Sequence, residues 1–95
     1  MRENRAKNII KDHHENYDGS GYPNSLKEKE ITIEGRIISI IDNYIKCISK
    51  DKNLEVLHKN AINHLIQNRS KKFDPEIVDI FVSLQNEIFR SISSI

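Results

Sequence analysis

The chain has no tryptophan, one cysteine, two prolines and three glycines among its 95 residues. A single cysteine, Cys47, excludes an internal disulfide framework and fits a reducing compartment. No run approaches the ~20 apolar residues of a membrane span. The charged start Met1-Arg2-Glu3-Asn4-Arg5 leads into no apolar signal segment. The expectation is a soluble, cytoplasmic protein. Charge of neither sign is in real excess, with 15 basic and 14 acidic residues. A dedicated nucleic-acid binder shows a large basic surplus, so long nucleic acids are excluded as partners. Aromatics are limited to three Tyr and three Phe. Isoleucine supplies much of the apolar volume instead, and Asn and Lys are abundant, a bias expected of an AT-rich genome.

What remains is 37% hydrophobic and 31% charged, polar for a domain but not disordered. The length allows one small domain, which buries only about 60–65% of its unfolded surface. No period-two alternation is present, and the apolar residues recur at three and four. The fold class is therefore all-α, a small bundle of about four helices.

The first helical stretch covers residues 2–14. Ala6, Ile9, Ile10, His13 and His14 share one arc of its wheel, so both histidines turn towards the interior. Residues 15–31 break the pattern. Asp18-Gly19-Ser20-Gly21-Tyr22-Pro23-Asn24-Ser25 is dense in turn formers, and Lys27 to Glu30 is a solvated charge run. The second helix runs from Thr32, a candidate N-cap, to about Ser49. Its broad apolar arc contains Ile33, Ile37, Ile40, Ile41, Tyr44 and Ile48. Asp42 lies just beyond the arc, either partly buried or beside a cavity.

The third helix covers residues 54–68, with Leu57, Ala61, Ile62, Leu65 and Ile66 inward. His58 falls inside that arc, as a partly buried core histidine, and His64 outside it. The fourth begins at Asp74, an N-cap followed by Pro75 and Glu76. Phe73 and Val78 form a hydrophobic staple across its start. Ile77, Phe81, Leu84, Ile88 and Ile92 continue it as one helix.

The residues suited to chemistry are His13-His14-Glu15, the loop after them, and Asp42, which follows His14 by 28 residues. Neutral imidazole and carboxylate suit Fe, Mn or Zn. Adjacent helical histidines point about 100° apart, towards two metals or one metal and a substrate group. Such a cluster generates hydroxide at neutral pH and neutralises a phosphoryl oxygen. Taken singly, the same residues are a solvated helix end, a surface carboxylate and a turn. Cys47 has no activating neighbour and reads as structural.

The string His13-His14-Glu15-x-x-Asp18-Gly19-x-Gly21-Tyr22-Pro23 resembles the second half of the signature of HD-GYP domains. These belong to the HD phosphohydrolase superfamily and hydrolyse cyclic di-GMP. Arg36-Ile37 followed by Asp42, then Ala61-Ile62 and Phe73-Asp74-Pro75-Glu76-Ile77-Val78, continue the resemblance over residues ~6–85. It implies the fold of the C-terminal half of such a domain. It implies that His13, His14 and Asp42 are ligands of a divalent metal, Fe or Mn. It implies that Gly19, Gly21, Tyr22 and Pro23 form a loop beside the substrate cleft, which in the family is also proposed to contact diguanylate cyclase domains. Arg36 matches the arginine ahead of the aspartate helix, as a structural or phosphate contact.

The sequence also departs from the family. No His-Asp pair lies in the twelve residues before His13. Ile45 stands where the family has a second aspartate, and Lys50-Asp51-Lys52-Asn53 where it has a basic, aromatic stretch. The expectation is a partial HD-GYP domain spanning residues 1–95, related to cyclic di-GMP phosphodiesterases of bacterial second-messenger signalling and inactive as an isolated chain. The alternatives are a non-catalytic interaction module that uses the Gly-Tyr-Pro loop, and a truncated gene product. Expected partners are the cyclic dinucleotide, an upstream HD fragment and a second copy of the chain. A missing half should also leave an apolar patch exposed.

Overall fold

The computed structural model describes residues 14–22, 24–48 and 53–94. The first helical stretch, with Ala6, Ile9, Ile10 and His13, lies outside the described residues, as do Pro23, Lys50 and Lys52. Among the described residues there are four α-helices and no strand: α1 Ile33–Ile48, α2 Leu54–Gln67, α3 Pro75–Ser83 and α4 Gln85–Ser93. A short 3-10 turn, Glu28–Glu30, precedes α1.

Side-chain caps set the helix starts. The Thr32 hydroxyl accepts from the Gly35 amide at 3.1 Å. Asn53 caps α2, accepting from the amides of Glu55 and Val56. Asp74 accepts from the Glu76 amide at 2.9 Å, with Pro75 at the first helical position. Each cap satisfies an otherwise orphaned amide.

The core holds two clusters. Ile40, Leu65, Phe73 and Val78 form one, so the Phe73–Val78 staple is built as expected. Tyr44, Ala61 and Ile62 form the other, against which Ile88 and Ile92 pack. Phe81 and Val82 pack against both. His58 is buried, and its Nδ1 lies 2.6 Å from the Tyr44 hydroxyl.

Two expectations are corrected. The last helix is not continuous. Its backbone breaks at Leu84 (φ −100°, ψ 8°), whose amide is shared between the carbonyls of Ile80 and Phe81. The Ser83 hydroxyl also donates to the Ile80 carbonyl at 2.6 Å, which competes with the regular ladder. The break turns Ile88 and Ile92 onto the second cluster and leaves Leu84 exposed.

The second correction concerns burial. Ile33, Ile37, Ile41 and Ile66 were expected inward and are exposed. The apolar arc of α1 is wider than its contact with α2 and α3. Ile40 and Tyr44 fill that contact, and the arc's flank projects past it. Ile33, Ile37, Ile41, Ile80, Phe81 and Leu84 line an open apolar groove of about 300 Å³ on this flank. Among the described residues this flank is an exposed apolar patch.

Candidate functional site

The site is assembled from the loop at residues 14–22, one face of α1 and the turn before α3. Backbone bonds hold these together. The Tyr17 amide donates to the Lys72 carbonyl at 3.1 Å, and the Asp18 amide to that of Lys71 at 2.9 Å.

Within the loop, Glu15 is the organising group. The residue is 2% exposed. One oxygen accepts from the Asn24 amide at 2.7 Å, the other from the Leu26 amide at 2.8 Å. Both oxygens therefore fold the chain on either side of the turn back against the segment that carries His14. The sequence reading placed Glu15 in the motif without giving it this task. Its place beside the two histidines, where the helical pattern breaks, gave no signal of this task.

Asp18 starts the turn. Its Oδ1 accepts from the amide of Ser20 at 2.9 Å and from its hydroxyl at 2.6 Å, and these bonds hold its carboxyl below the usual value. Gly19 has φ +86°, the left-handed region that a side chain would strain. Gly21 meets a different limit. A Cβ there would lie 2.6 Å from the His14 carbonyl oxygen and closer still to the Asn16 amide nitrogen, both backbone atoms. The loop can pass this point only as glycine.

Passing so close, the chain delivers Tyr22 onto His14. The two rings are stacked, with centroids 5.0 Å apart and planes within 11°. The Tyr22 hydroxyl is 3.4 Å from His14 Nδ1. Tyr22 remains 63% exposed, with its outer face at the rim of the site.

Across from these rings, α1 presents Ser39, Asp42, Asn43 and Lys46. With Asn16, Ser20, Lys72 and Phe73 they enclose a cleft of about 330 Å³. The structure thus brings His14, Gly21, Tyr22 and Asp42 to one cleft. Asp42 lies beside a cavity, and its Oδ2 is 2.9 Å from the Lys46 ammonium. That contact raises the Lys46 pKa, through the hydrogen bond first and the charge second. Lys46 and Lys72 were missed by the sequence reading. The four-residue spacing of Asp42 and Lys46 on one helix was the available signal for Lys46, and no such spacing marks Lys72.

Arg36 is not part of the cleft lining. Its Nε donates to the Ile31 carbonyl at 3.1 Å and its Nη1 to Asp74 Oδ2 at 2.6 Å, with side chains 13% and 5% exposed. It ties the start of α1 to the cap of α3. The neighbouring Tyr17 hydroxyl has a raised pKa, from burial first and then from the charge of Asp74.

Among the described residues, no three His, Cys, Asp or Glu side chains converge on one point. His14 and Asp42 are two donors, one of them already paired with an ammonium. His13 lies outside the described residues. The described donors therefore do not by themselves fit a bound Fe or Mn ion, which takes more ligands than two.

The model of the HD domain family matches residues 2–77. The chain belongs to the HD domain family. Its resemblance to the HD-GYP type is borne out by its relatives. This HD domain is 40% identical over 78 residues to a cyclic di-GMP phosphodiesterase of Thermotoga maritima, covering 80% of the chain and 21% of the relative. It is 38% identical over 80 residues to a probable cyclic di-GMP phosphodiesterase of Vibrio cholerae, covering 83% and 18%. It is 34% identical over 83 residues to a 3'3'-cGAMP-specific phosphodiesterase of the same organism, covering 86% and 16%. The HD domain thus spans about a fifth of the length of these curated relatives. No helix among the described residues is long and apolar enough to cross a membrane.

Proposed function

We propose that this chain is a partial HD-GYP-type domain whose cleft binds a cyclic dinucleotide, and that the 95-residue chain by itself does not hydrolyse it. The observation that carries this reading is the meeting of His14, Tyr22 and Asp42 in one cleft. The cleft is polar and large enough for a phosphate and part of a sugar, and the exposed Tyr22 ring offers a base a stacking surface. By the resemblance, His13, His14 and Asp42 would hold a divalent metal, which would supply a nucleophilic hydroxide and neutralise charge on a phosphodiester. The departures of the sequence from the family, Ile45 in place of its second aspartate and no His-Asp pair in the twelve residues before His13, support binding without turnover.

The test is paired. Cyclic di-GMP and 3'3'-cGAMP are incubated with the chain and Mn²⁺ or Fe²⁺, and products are followed by chromatography. Binding is measured by calorimetry on the same samples. Binding that Tyr22→Ala weakens, with no product, is the expected result. Metal-dependent turnover abolished by His13→Ala would overturn the inactive reading.

The exposure of Tyr22 favours a second reading, an interaction module that presents the Gly-Tyr-Pro loop to a protein such as a diguanylate cyclase domain. Here Tyr22→Ala would abolish protein capture, and the wild-type chain would show no dinucleotide binding.

A further inference from the structure

Among the described residues, the charged side chains that line the cleft are Asp42, Lys46 and Lys72. One carboxylate faces two ammonium groups, so these described residues carry an excess of one positive charge. The sign matters. A divalent cation entering the cleft gains the attraction of Asp42 but meets two like charges. An oxyanion meets the reverse balance.

The contact at Asp42 adds to this. Lys46 Nζ lies 2.9 Å from Asp42 Oδ2, the distance of a charge-assisted hydrogen bond. The acidic residue stands one turn N-terminal to the basic one on the same helix, the favourable order for such a pair. A metal ion that took this oxygen would have to displace the ammonium, which is tethered by its own helix and returns at no translational cost. Lys72 approaches the same space from the turn before α3, whose carbonyl bond from Tyr17 anchors its backbone.

We propose that Lys46 occupies the cation position at Asp42, and that with Lys72 it makes the cleft a site for a phosphoester oxyanion bound without a divalent metal. This rests on the reading above, that the cleft takes a phosphodiester, and assigns the groups that meet its phosphate. In this arrangement the two ammonium groups neutralise the phosphate oxygens, and Asp42 orients one of them. The stacked pair of Tyr22 and His14 lines the same cleft.

The test uses the full chain and two simple probes. Inorganic phosphate is titrated in the presence of a chelator, and Mn²⁺ is titrated into metal-free protein, both by calorimetry. Phosphate should bind in chelator, and Lys46→Gln and Lys72→Gln should each weaken it several-fold. Lys46→Gln should also tighten Mn²⁺ binding about tenfold, the size expected for removing one like charge at close range. Lys46 is 71% exposed at its side chain, so the variant should keep its fold, checked by circular dichroism. Phosphate binding that requires Mn²⁺, or Mn²⁺ affinity unchanged in Lys46→Gln, would overturn the proposal.

Cyclic di-GMP, titrated in the same series, separates the two readings. If it does not bind while phosphate and Mn²⁺ respond as described, the dinucleotide reading falls and the role of Lys46 stands. If it binds only with Mn²⁺ and ignores Lys46→Gln, the dinucleotide reading stands and the role of Lys46 falls.

Discussion

The phenol ring of Tyr22 lies parallel to the imidazole of His14, with centroids 5.0 Å apart. They are eight positions apart in sequence, and the loop is held by the Tyr22 amide, which donates to the His14 carbonyl, and by the Glu15 carboxylate, which accepts from the Asn24 and Leu26 amides. A stacked aromatic face shields the protons of the ring beneath it. Tyr22→Leu should therefore move the His14 ring-proton resonances downfield, while Tyr22→Phe should leave them near the wild-type position. Equal shifts in the two variants would show that the rings do not stack in solution.

Gly21 and Gly19 should differ in their tolerance of alanine. At Gly21 the new methyl meets backbone atoms that cannot rotate away. At Gly19 it meets only the Lys27 side chain and the Ser25 carbonyl at ordinary distances, and the cost is the strained φ. Gly19→Ala should cost about 1–2 kcal/mol. Gly21→Ala should cost about 3 kcal/mol and also abolish the Tyr22–His14 contact. Urea unfolding of both variants measures the order, and a reversed order would refute it.

Glu15 should prove a folding residue. Its removal leaves two backbone amides without their charged acceptor, at about 1.5–3 kcal/mol each. Glu15→Ala should expose the loop at residues 19–27 to limited proteolysis, and Glu15→Gln should do so less, since it keeps one acceptor oxygen. Protection equal to wild type in Glu15→Ala would contradict the arrangement seen here.

Arg36 offers a choice between structure and ligand. Breaking a buried ion pair costs about 3–5 kcal/mol, and the Arg36–Asp74 pair is nearly enclosed. Arg36→Gln should lower the unfolding free energy by about 3 kcal/mol. In chain that remains folded, phosphate affinity should be unchanged. Lost phosphate affinity with wild-type stability would restore the phosphate-contact role.

Stability should fall as pH drops from 7 to 5, and His58 is the cause. Burial lowers its pKa from the ordinary 6.5. The unfolded chain therefore binds a proton at this site more readily than the folded chain, and stability rises with pH through this range. Above the unfolded value the effect is absent. Below it the loss grows until the folded imidazole also protonates. Asp18 has the same slope but a lower window, at and below 3.8, because its carboxyl is depressed by Ser20. His58→Gln should thus flatten the dependence of Tm on pH between 7 and 5 without affecting the acid limb. A slope unchanged by the substitution would assign it elsewhere.

Much of the fold was legible because helix starts are written locally. Thr32 and Asp74 cap where the pattern says they should, and Phe73 meets Val78 across the second of these caps. The interruption at Leu84 was not legible, because no glycine or proline marks it; it arises from the Ser83 hydroxyl and the packing of Ile88. Nor does periodicity reveal what an apolar face rests against. Ile40 and Ile41 look alike in sequence, yet one is in the core and the other borders the open groove. In the site, His14, Tyr22 and Asp42 were legible through their resemblance to HD-GYP domains. Glu15 bonds amides nine and eleven residues ahead, and no short-range pattern predicts that.

The tight passage at Gly21 bears on what a sequence signature measures. The glycine is required because the backbone of His14 to Asn16 leaves no space for another atom. That requirement belongs to the path of the chain and would persist unchanged if the chemistry were lost. A protein that had stopped turning over its substrate would still be held to this residue for as long as it needed to fold. The presence of the string therefore certifies a shape. The number of ligands around that shape, and the sign of the charge inside it, decide whether a reaction goes with it.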